Sequence, residues 1–402
     1  MTKAGYVFVA AGVFVYFLAS QTQIGWIYLI DAFIWSLLVF SAVITGFGLK
    51  SLNVERQILL PKSTQTQLSG PLEDEVIEVT LTVGNPGRLA THFVKVLEHC
   101  PFASPEKRLR NFLIPTLEPK SSTTFYYEVA CYKRGYYPSA AIILQTSDPL
   151  GLMRRKRSFE LPLNLTVYPA YYPLEGQPAA DAVWTEWRQA IKSSTAEELY
   201  GSREYRYGDP LKHIHWRNTA RLGQFMLKEF EQYRQGAITV VLDTRREFGS
   251  DKETTLEYSI RIAASLARFS ADLGRPINII AGERALYHAS WQEAMDYLAQ
   301  LEIAPDAGWE PALATEPGQV IVAIVSAKEV DLVPALSQIA AMGRELLVLL
   351  EGFAADERPE EFSSRLAGNN IDIVNCTRGG LEAGISEMAA SRFLGAKSAP
   401  VL

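Results

Sequence analysis

Two apolar segments open the chain. Ala4–Ser20 carries no charge, and Ile24–Leu49 carries only one, at Asp31. A helix needs about 20 apolar residues to cross the hydrocarbon core of a bilayer, with about 17 at the short end of the range. The three polar residues between the segments leave room only for a tight turn. The pattern therefore predicts a hairpin of two transmembrane helices over residues 1–50.

The charges that flank these segments predict their orientation. Lys3 precedes the first segment, whereas Lys50, Arg56 and Lys62 follow the second, and the linker has no charge. Basic residues stay on the cytoplasmic side of a membrane. We therefore expect a multi-pass protein of the inner (cytoplasmic) membrane with its remaining chain in the cytoplasm. A signal peptide ending near residue 20 would turn the body outward, but the second apolar segment follows almost at once and favours the hairpin.

The next region alternates apolar and polar residues. Val76–Val83 has one apolar face, as a half-buried strand does. Breaks that contain proline or glycine separate further strands predicted at Phe93–Glu98, Leu109–Ile114, Thr123–Ala130, Ala141–Gln145 and Leu163–Tyr168. Short strands at this spacing predict a β-sandwich-like domain over residues 51–170. The basic run Arg154–Arg157 could contact anionic lipid or form a solvated turn, and the sequence leaves both open.

Residues 237–402 alternate between strand and helix patterns. The predicted strands are Ala237–Leu242, Pro276–Ile280, Val320–Val325, Glu345–Leu350 and Ile371–Val374. The predicted helices are Leu256–Leu273, Ser290–Leu301, Val330–Met342, Glu361–Gly368 and Gly379–Leu394. Strict alternation indicates an α/β domain with a doubly wound parallel sheet. Ligands of such sheets bind beyond the carboxyl ends of the strands, which points to Asp243–Arg246. No glycine-rich phosphate motif is present, which disfavours a nucleotide.

A charged connector, residues 171–236, separates these two regions. Its part Glu198–Glu231 is dense in hydrogen-bonding side chains, which are costly to bury without partners. It is therefore either an ordered polar network or a working surface. Asp209, His213 and His215 suggest metal or acid–base chemistry. On a helix, however, the two histidines would lie roughly 200° apart and could not chelate one ion. A network in which arginines pair with Glu204 and Asp209 explains the segment better.

Composition narrows the functional classes. The chain has 45 acidic and 39 basic residues, a net charge of −6, which argues against nucleic acid as the main partner. Its three cysteines, Cys100, Cys131 and Cys376, show no CxxC spacing. A sparse, odd set of cysteines indicates a reducing compartment without a disulfide framework, and it makes a zinc site improbable.

The central segment GSREYRYGDPLKHIHWRNTARLGQFMLKEFE resembles the defining motif of the domain of unknown function 58 family. The matching residues are Gly201, Arg203, Glu204, Tyr205, Gly208, Asp209, Ile214, His215, Trp216, Thr219, Ala220, Arg221, Glu229, Phe230 and Glu231. Two upstream segments are also similar to family motifs: Asp148–Leu152 to D-P-F-G-L and Arg134–Tyr136 to R-G-x-Y. Together these motifs are specific, and the resemblance extends over nearly the whole chain.

The resemblance implies a C-terminal domain similar to the von Willebrand factor type A fold. Many members of that fold hold Mg²⁺ through D-x-S-x-S after the first strand, with hard oxygen ligands. Here Asp243 is retained, but Arg245 and Glu247 stand in place of the two serines. Because an arginine repels a divalent cation, we predict no metal at Asp243 and no other cofactor.

The resemblance also implies partners. Family members are usually encoded beside MoxR-type AAA+ ATPases and other von Willebrand type A proteins. We therefore expect a non-enzymatic, membrane-anchored adaptor or scaffold that partners a cytoplasmic ATPase in the assembly or maturation of other proteins. The residues expected to form its interface or an internal lock are Arg203, Glu204, Tyr205, Gly208, Asp209, His215, Trp216 and Arg221.

Two alternatives stay open. The chain could be a structural or lipid-binding envelope component that acts through its apolar segments and Arg154–Arg157. It could also be a metal-independent enzyme that uses Glu204, Asp209, His213 or His215, but no catalytic set is visible in the sequence.

Overall fold

A computed structural model describes residues 1–60, 68–174, 199–204, 219–221, 223–230, 238–272, 274–306, 308, 320–342, 344–367 and 371–390. The chain divides into two compact units, Met1–Pro169 and Ala170–Leu402. The first unit contains the apolar segments and the strand-rich region, and the second contains the α/β region.

The two apolar segments form helices α1 (Lys3–Thr22) and α2 (Gly25–Lys50), both long and apolar enough to cross a membrane. The hydroxyl of Thr2 caps α1 by accepting a hydrogen bond from the amide of Gly5. Gln23 adopts a left-handed conformation, with φ of 52°, and its N–H donates to the carbonyl of Ala19. This single turn reverses the chain, so the two helices form a hairpin. Asp31 is buried.

Seven strands follow in the first unit: β1 (Asn53–Leu59), β2 (Val76–Asn85), β3 (Thr91–His99), β4 (Leu109–Leu117), β5 (Ser121–Ala130), β6 (Gly135–Ser147) and β7 (Arg154–Val167). They form two antiparallel sheets, of order β1-β2-β5 and β4-β3-β6-β7. Leu81 and Val83 of one sheet share a buried cluster with Val94 and Val96 of the other. The sheets therefore pack face to face, because their strands alternate in polarity as predicted.

The structure corrects two details of this region. The pattern missed β1, which pairs antiparallel with β2 from Asn53 opposite Gly84. It also left Arg154–Arg157 as a possible solvated turn, but these residues begin β7 and pair with the end of β6. The register places the β2–β3, β4–β5 and β6–β7 turns at the end of the sandwich where β1 leaves α2.

The β6–β7 turn contacts both helices. The hydroxyl of Thr2 donates to the carbonyl of Gly151 at 2.6 Å, and that of Ser41 in α2 donates to the carboxylate of Asp148 at 3.0 Å. Asp148 and Ser41 are buried. The helices therefore join the sandwich through specific polar contacts.

The second unit begins with two short pairing strands, β8 (Leu199–Glu204) and β9 (Met226–Phe230). A larger sheet follows, with strands β10 (Ile238–Leu242), β13 (Ile277–Ala281), β14 (Arg284–Ala289), β15 (Val320–Ser326), β16 (Arg344–Glu351) and β17 (Ile371–Thr377). Between β10 and β13 lie the two-residue strands β11 (Gly249–Ser250) and β12 (Glu253–Thr254). The helices are α3 (Thr255–Asp272), α4 (Trp291–Ala299), α5 (Val333–Met342), α6 (Pro359–Leu366) and α7 (Leu381–Ala390). A 3₁₀ turn, Val330–Leu332, precedes α5.

The large sheet has the order β14-β13-β10-β15-β16-β17. All of its neighbouring strands are parallel except β13 and β14, which pair antiparallel. The sequence predicted a wholly parallel sheet and missed β14. The sequence pattern was interpreted as a strand followed directly by a helix. Gly282, at φ of 60°, instead allows a tight hairpin directly after β13, and β14 is the second strand of that hairpin.

The order of the sheet explains which of its strands are buried. Every residue of β10 and β13 is buried, as expected for central strands covered on both faces. The order of the sheet reverses at β10, because β13 pairs with one of its edges and β15 with the other. At such a reversal the loops after the two strands diverge and leave a crevice between them, so a ligand site is expected after β10 and β15.

Candidate functional site at the carboxyl edge of the α/β sheet

A cluster of charged residues fills the crevice after β10 and β15. Asp243 follows β10 directly, and its N–H donates to the carbonyl of Ile324 in β15 at 3.3 Å. Glu329 follows β15, and only 1% of its surface is exposed. The backbone of two adjacent parallel strands thus brings two buried carboxylates to the same edge.

The guanidinium of Arg245 lies among these carboxylates. Its Nε and Nη2 donate to the two oxygens of Asp243 at 3.0 and 3.2 Å, a fork-like pair. Nη2 also donates to Glu329 at 2.9 Å, and Nη1 donates to Asp331 at 3.0 Å. Arg245 therefore occupies the centre of the cluster and contacts all three carboxylates.

A second arginine covers the cluster from outside. Nη1 of Arg246 donates to the other oxygen of Glu329 at 3.3 Å, while the side chain of Arg246 stays 65% exposed. Two guanidinium groups thus face three carboxylates. The free energy of each ion pair depends on its burial, since exposed pairs contribute little.

The pKa shifts follow from burial and from these ion pairs. Burial raises the pKa of Glu329, and the positive charge of Arg245 partly opposes that shift. Burial also tends to lower the pKa of Arg245, but its hydrogen bonds to Asp243 and Asp331 raise that pKa further above its usual range. Burial tends to raise the pKa of Asp331, but the hydrogen bond and the positive charge of Arg245, with further hydrogen bonds, together hold that pKa below its usual range. Arg245 therefore stays charged.

The carboxylate oxygens around Asp243 bind a guanidinium group. Within the described ranges, no group of three or more histidine, cysteine, aspartate or glutamate residues is placed to hold a metal ion. The sequence placed Arg245 beside the acidic position as a repelling charge. In the structure its side chain enters the acidic cluster and forms hydrogen bonds there.

The central segment is described only in part. Arg203 and Glu204 lie in β8, and Arg221 lies exposed in a short helical segment, 219–221. The other predicted interface residues lie outside the described residues: Tyr205, Gly208, Asp209, His215 and Trp216. His213, which the catalytic hypothesis also invoked, lies outside them as well.

The two ends of this segment pair with each other. Strands β8 and β9 are antiparallel, with Gly201 opposite Glu229 and Arg203 opposite Leu227. The hydroxyl of Thr219 accepts a hydrogen bond from the amide of Met226 at 3.0 Å. The sequence predicts a strand over Gln224–Tyr233 that leads towards the next domain, and β9 lies within that range. The pairing with β8 joins the two described ends of the segment.

The sequence pattern predicts a helix over Leu211–Leu222 that Gly223 ends, and Gly223 does end the short helical segment 219–221. Its φ of 73° lies in the left-handed region that glycine adopts most readily, and its N–H donates to the carbonyl of Thr219 at 2.9 Å. The remainder of the predicted helix Leu211–Leu222 falls on residues that are not described, apart from 219–221.

Sequence reasoning missed Glu329 and Asp331. The available signal was their place just after the apolar run Val320–Val325, since the carboxyl ends of parallel strands meet at one edge. Without the order of the strands, however, the sequence could not show that β15 lies next to β10.

Part of the chain matches a model of a known protein family. Residues 201–288 match a family model described as "Protein of unknown function DUF58". The resemblance predicted from the central segment is thereby confirmed for this part of the chain. A relative described as uncharacterized protein YeaD, from Bacillus subtilis strain 168, is 30% identical over 151 residues. That match spans 37% of this chain and 36% of the relative, little more than a third of each.

Similarities to solved structures are weak. A protein described as ApaA from Bordetella pertussis is 16% identical and has a TM-score of 0.18, over 28% of this chain and 93% of its own. The sporulation control protein Spo0M from Bacillus subtilis is 11% identical with a TM-score of 0.16, over 39% of this chain and 58% of its own. Scores this low carry no conclusion about fold or function.

Proposed function

We propose that this chain is a non-enzymatic, membrane-anchored adaptor whose α/β domain binds a protein partner. The observation that carries the proposal is the position of Arg245. The crevice where α/β domains bind ligands is filled by its guanidinium, which contacts Asp243, Glu329 and Asp331. A crevice closed by internal ion pairs suits a binding or structural surface better than a reaction centre.

Membrane anchoring is supported by the surface of the two N-terminal helices. Large apolar side chains such as Trp26, Leu29, Phe33 and Phe40 are exposed. Contiguous apolar surface of this kind is unfavourable in water and marks a membrane or protein contact. In the proposal, the positive residues at the ends of the hairpin keep both units in the cytoplasm.

The proposed partner is a MoxR-type AAA+ ATPase, and the α/β domain is the proposed counterpart of a von Willebrand type A domain. The family match at residues 201–288 supports this choice, because the resemblance implies such partners. Arg246 and Asp331, with 65% and 59% of their side chains exposed, are charged groups that a partner could reach at the edge of the crevice.

Co-purification tests this proposal. The full chain would be extracted in mild detergent and captured together with a MoxR-type ATPase of the same organism, with and without ATP. We expect a stable complex that Arg203→Ala and Asp209→Ala weaken, whereas Arg365→Ala, an exposed arginine on α6, leaves it intact. Unchanged binding by the two motif variants would remove the role given to the central segment, and no complex with any state of the ATPase would refute the adaptor function.

A lipid-binding envelope component is the second candidate function. It is favoured by one observation, the contact of Arg155 with Gly46 of α2. This contact is compatible with an adaptor and defines a separate site.

A further inference from the structure

The basic run at the start of β7 is divided by the alternation of the strand. Successive side chains of a strand point to opposite faces. Arg155 and Arg157 both reach α2, Arg155 at Gly46 and Arg157 at the carbonyls of Leu49 and Lys50. Arg154 and Lys156 fall on the alternate positions, although all four residues are exposed. The four residues are therefore not one uniform basic patch.

Arg157 and Arg155 differ in what they bind. Nη1 of Arg157 donates to the main-chain carbonyls of Leu49, Lys50 and Leu52, so the protein itself engages this nitrogen. The guanidinium of Arg155 lies 3.6 Å from the place where a Cβ of Gly46 would stand. No carboxylate of the described residues pairs with Arg155 in an ion pair. This cation lies against the helix with its charge free to bind an anion.

A groove of about 360 Å³ runs along α2 beside Arg155. It is lined by one stripe of the helix, spaced by three or four residues, together with that arginine: Val39, Ala42, Val43, Gly46, Lys50 and Arg155. The residues towards the middle of α2 are apolar, and both cations lie towards its end. Apolar and cationic parts thus follow one another along a helix that is long enough to cross a membrane.

We propose that this groove binds one anionic phospholipid of the membrane in which α2 is anchored. An acyl chain packs along Val39, Ala42 and Val43, and the phosphate lies between Lys50 and Arg155. Cations at the cytoplasmic end of a membrane helix attract anionic headgroups, and the apolar stripe continues into the hydrocarbon layer. The site rests on the proposed membrane anchoring and is independent of the ATPase partner.

Gly46 gives the groove its shape. Any side chain at this position would meet the guanidinium of Arg155 or fill the space beneath a lipid. The substitution Gly46→Leu therefore closes the groove without changing a charge. This variant therefore distinguishes lipid bound in the groove from lipid held by general attraction between a basic surface and an acidic membrane.

Native mass spectrometry of the full chain tests the site. The protein would be placed in bilayer discs of equal phosphatidylglycerol and phosphatidylcholine, then released, and the retained lipids counted. We expect one phosphatidylglycerol to be retained in preference to phosphatidylcholine. Arg155→Ala and Lys50→Ala should each weaken retention about fivefold, the effect expected of one basic residue near a membrane surface. Gly46→Leu should abolish retention.

Lys156→Ala is the matched control, because it removes the same charge one position further along β7. It should retain phosphatidylglycerol as the unchanged chain does. Equal retention of both lipids, or an equal loss in Lys156→Ala and Arg155→Ala, would overturn the site. Alkaline extraction of membranes separates this result from the proposed function: a chain that washes off refutes anchoring itself, whereas an anchored chain without lipid preference refutes only the groove.

Discussion

Asp148 accepts a hydrogen bond from Ser41 at 3.0 Å, across 107 positions of sequence. The same carboxylate accepts from the amides of Leu150 and Met153, at 3.1 and 2.6 Å. One buried side chain therefore shapes the β6–β7 turn and holds α2 against it. The sequence singled out this segment as a break between strands and by its family resemblance, and the contacts of Asp148 give it a structural role.

Asp148→Ala should destabilise the first unit by about 2–3 kcal/mol. The substitution leaves two backbone amides and a buried hydroxyl without their acceptor, and hydrogen bonds to a charged group are among the stronger ones. Thermal unfolding of the full chain in detergent measures the loss. Glu160→Ala, at an exposed position of β7, should change stability little. The losses of stability caused by Asp148→Ala and Ser41→Ala should be non-additive in the double variant, since the two residues share one hydrogen bond.

Arg157→Ala should release the end of α2. The guanidinium donates to the carbonyls of Leu49 and Lys50, both at 3.1 Å, which a helix end leaves unsatisfied, and to that of Leu52, just beyond the helix, at 3.3 Å. A cost of about 1 kcal/mol is expected because the side chain is exposed. Hydrogen exchange at residues 46–52 should speed up, while Arg154→Ala leaves it unchanged. Equal exchange in both variants would contradict this capping role.

Arg245→Met should destabilise the α/β unit by about 3–5 kcal/mol at neutral pH. It removes the cation from between the buried carboxylates of Asp243 and Glu329, and an uncompensated buried charge is costly. Adding Glu329→Gln should restore part of the loss, as should acidification, which protonates Glu329, whose pKa burial raises. Chemical denaturation measures both effects. A loss under about 1 kcal/mol would show that the cluster is not held by this arginine.

The comparison of β14 with β15 shows where sequence reasoning succeeds. Apolar runs such as Val320–Val325 identify buried strands, because a strand covered on both faces must be apolar throughout. Arg284–Ala289 has no such run, since an edge strand keeps much of its surface in solvent. The pattern of apolar positions follows burial, so a strand such as β14, which has no apolar run, is missed, whereas β17 at the opposite edge of the same sheet was predicted from Ile371–Val374.

Candidate sites are harder to predict, for a related reason. Asp243 could be singled out because it directly follows a buried strand. Glu329 and Asp331 reach it only through the pairing of β10 with β15, which lie almost 80 residues apart. Arg245 also shows that a charge in a motif does not reveal its partner. The sequence indicated an arginine next to an acidic site, and only side-chain geometry places the guanidinium inside it.

Glu98 is the most deeply buried acid of the sandwich, with none of its surface exposed. The side chain of Arg56 approaches it at 3.6 Å and is itself almost completely buried. Burial raises the pKa of Glu98 above its ordinary value of 4.5, although Tyr127 and Arg56 partly oppose the shift. The folded chain therefore holds the proton of Glu98 at a pH where the unfolded chain has released it.

This difference fixes the sign of a pH effect on stability. Between 4.5 and the raised pKa the folded state binds more protons at Glu98, so the free energy of unfolding must fall as pH rises through that window. Glu98→Gln removes the titrating group, and its stability should decline less over the same range. Denaturation of the full chain in detergent from about pH 4 to about pH 8 measures the two slopes. Glu128→Gln, at an exposed position of β5, is the control and should keep the dependence of unfolding free energy on pH that the unchanged chain has. If Glu98→Gln also kept that dependence, Glu98 would ionise freely in the folded chain.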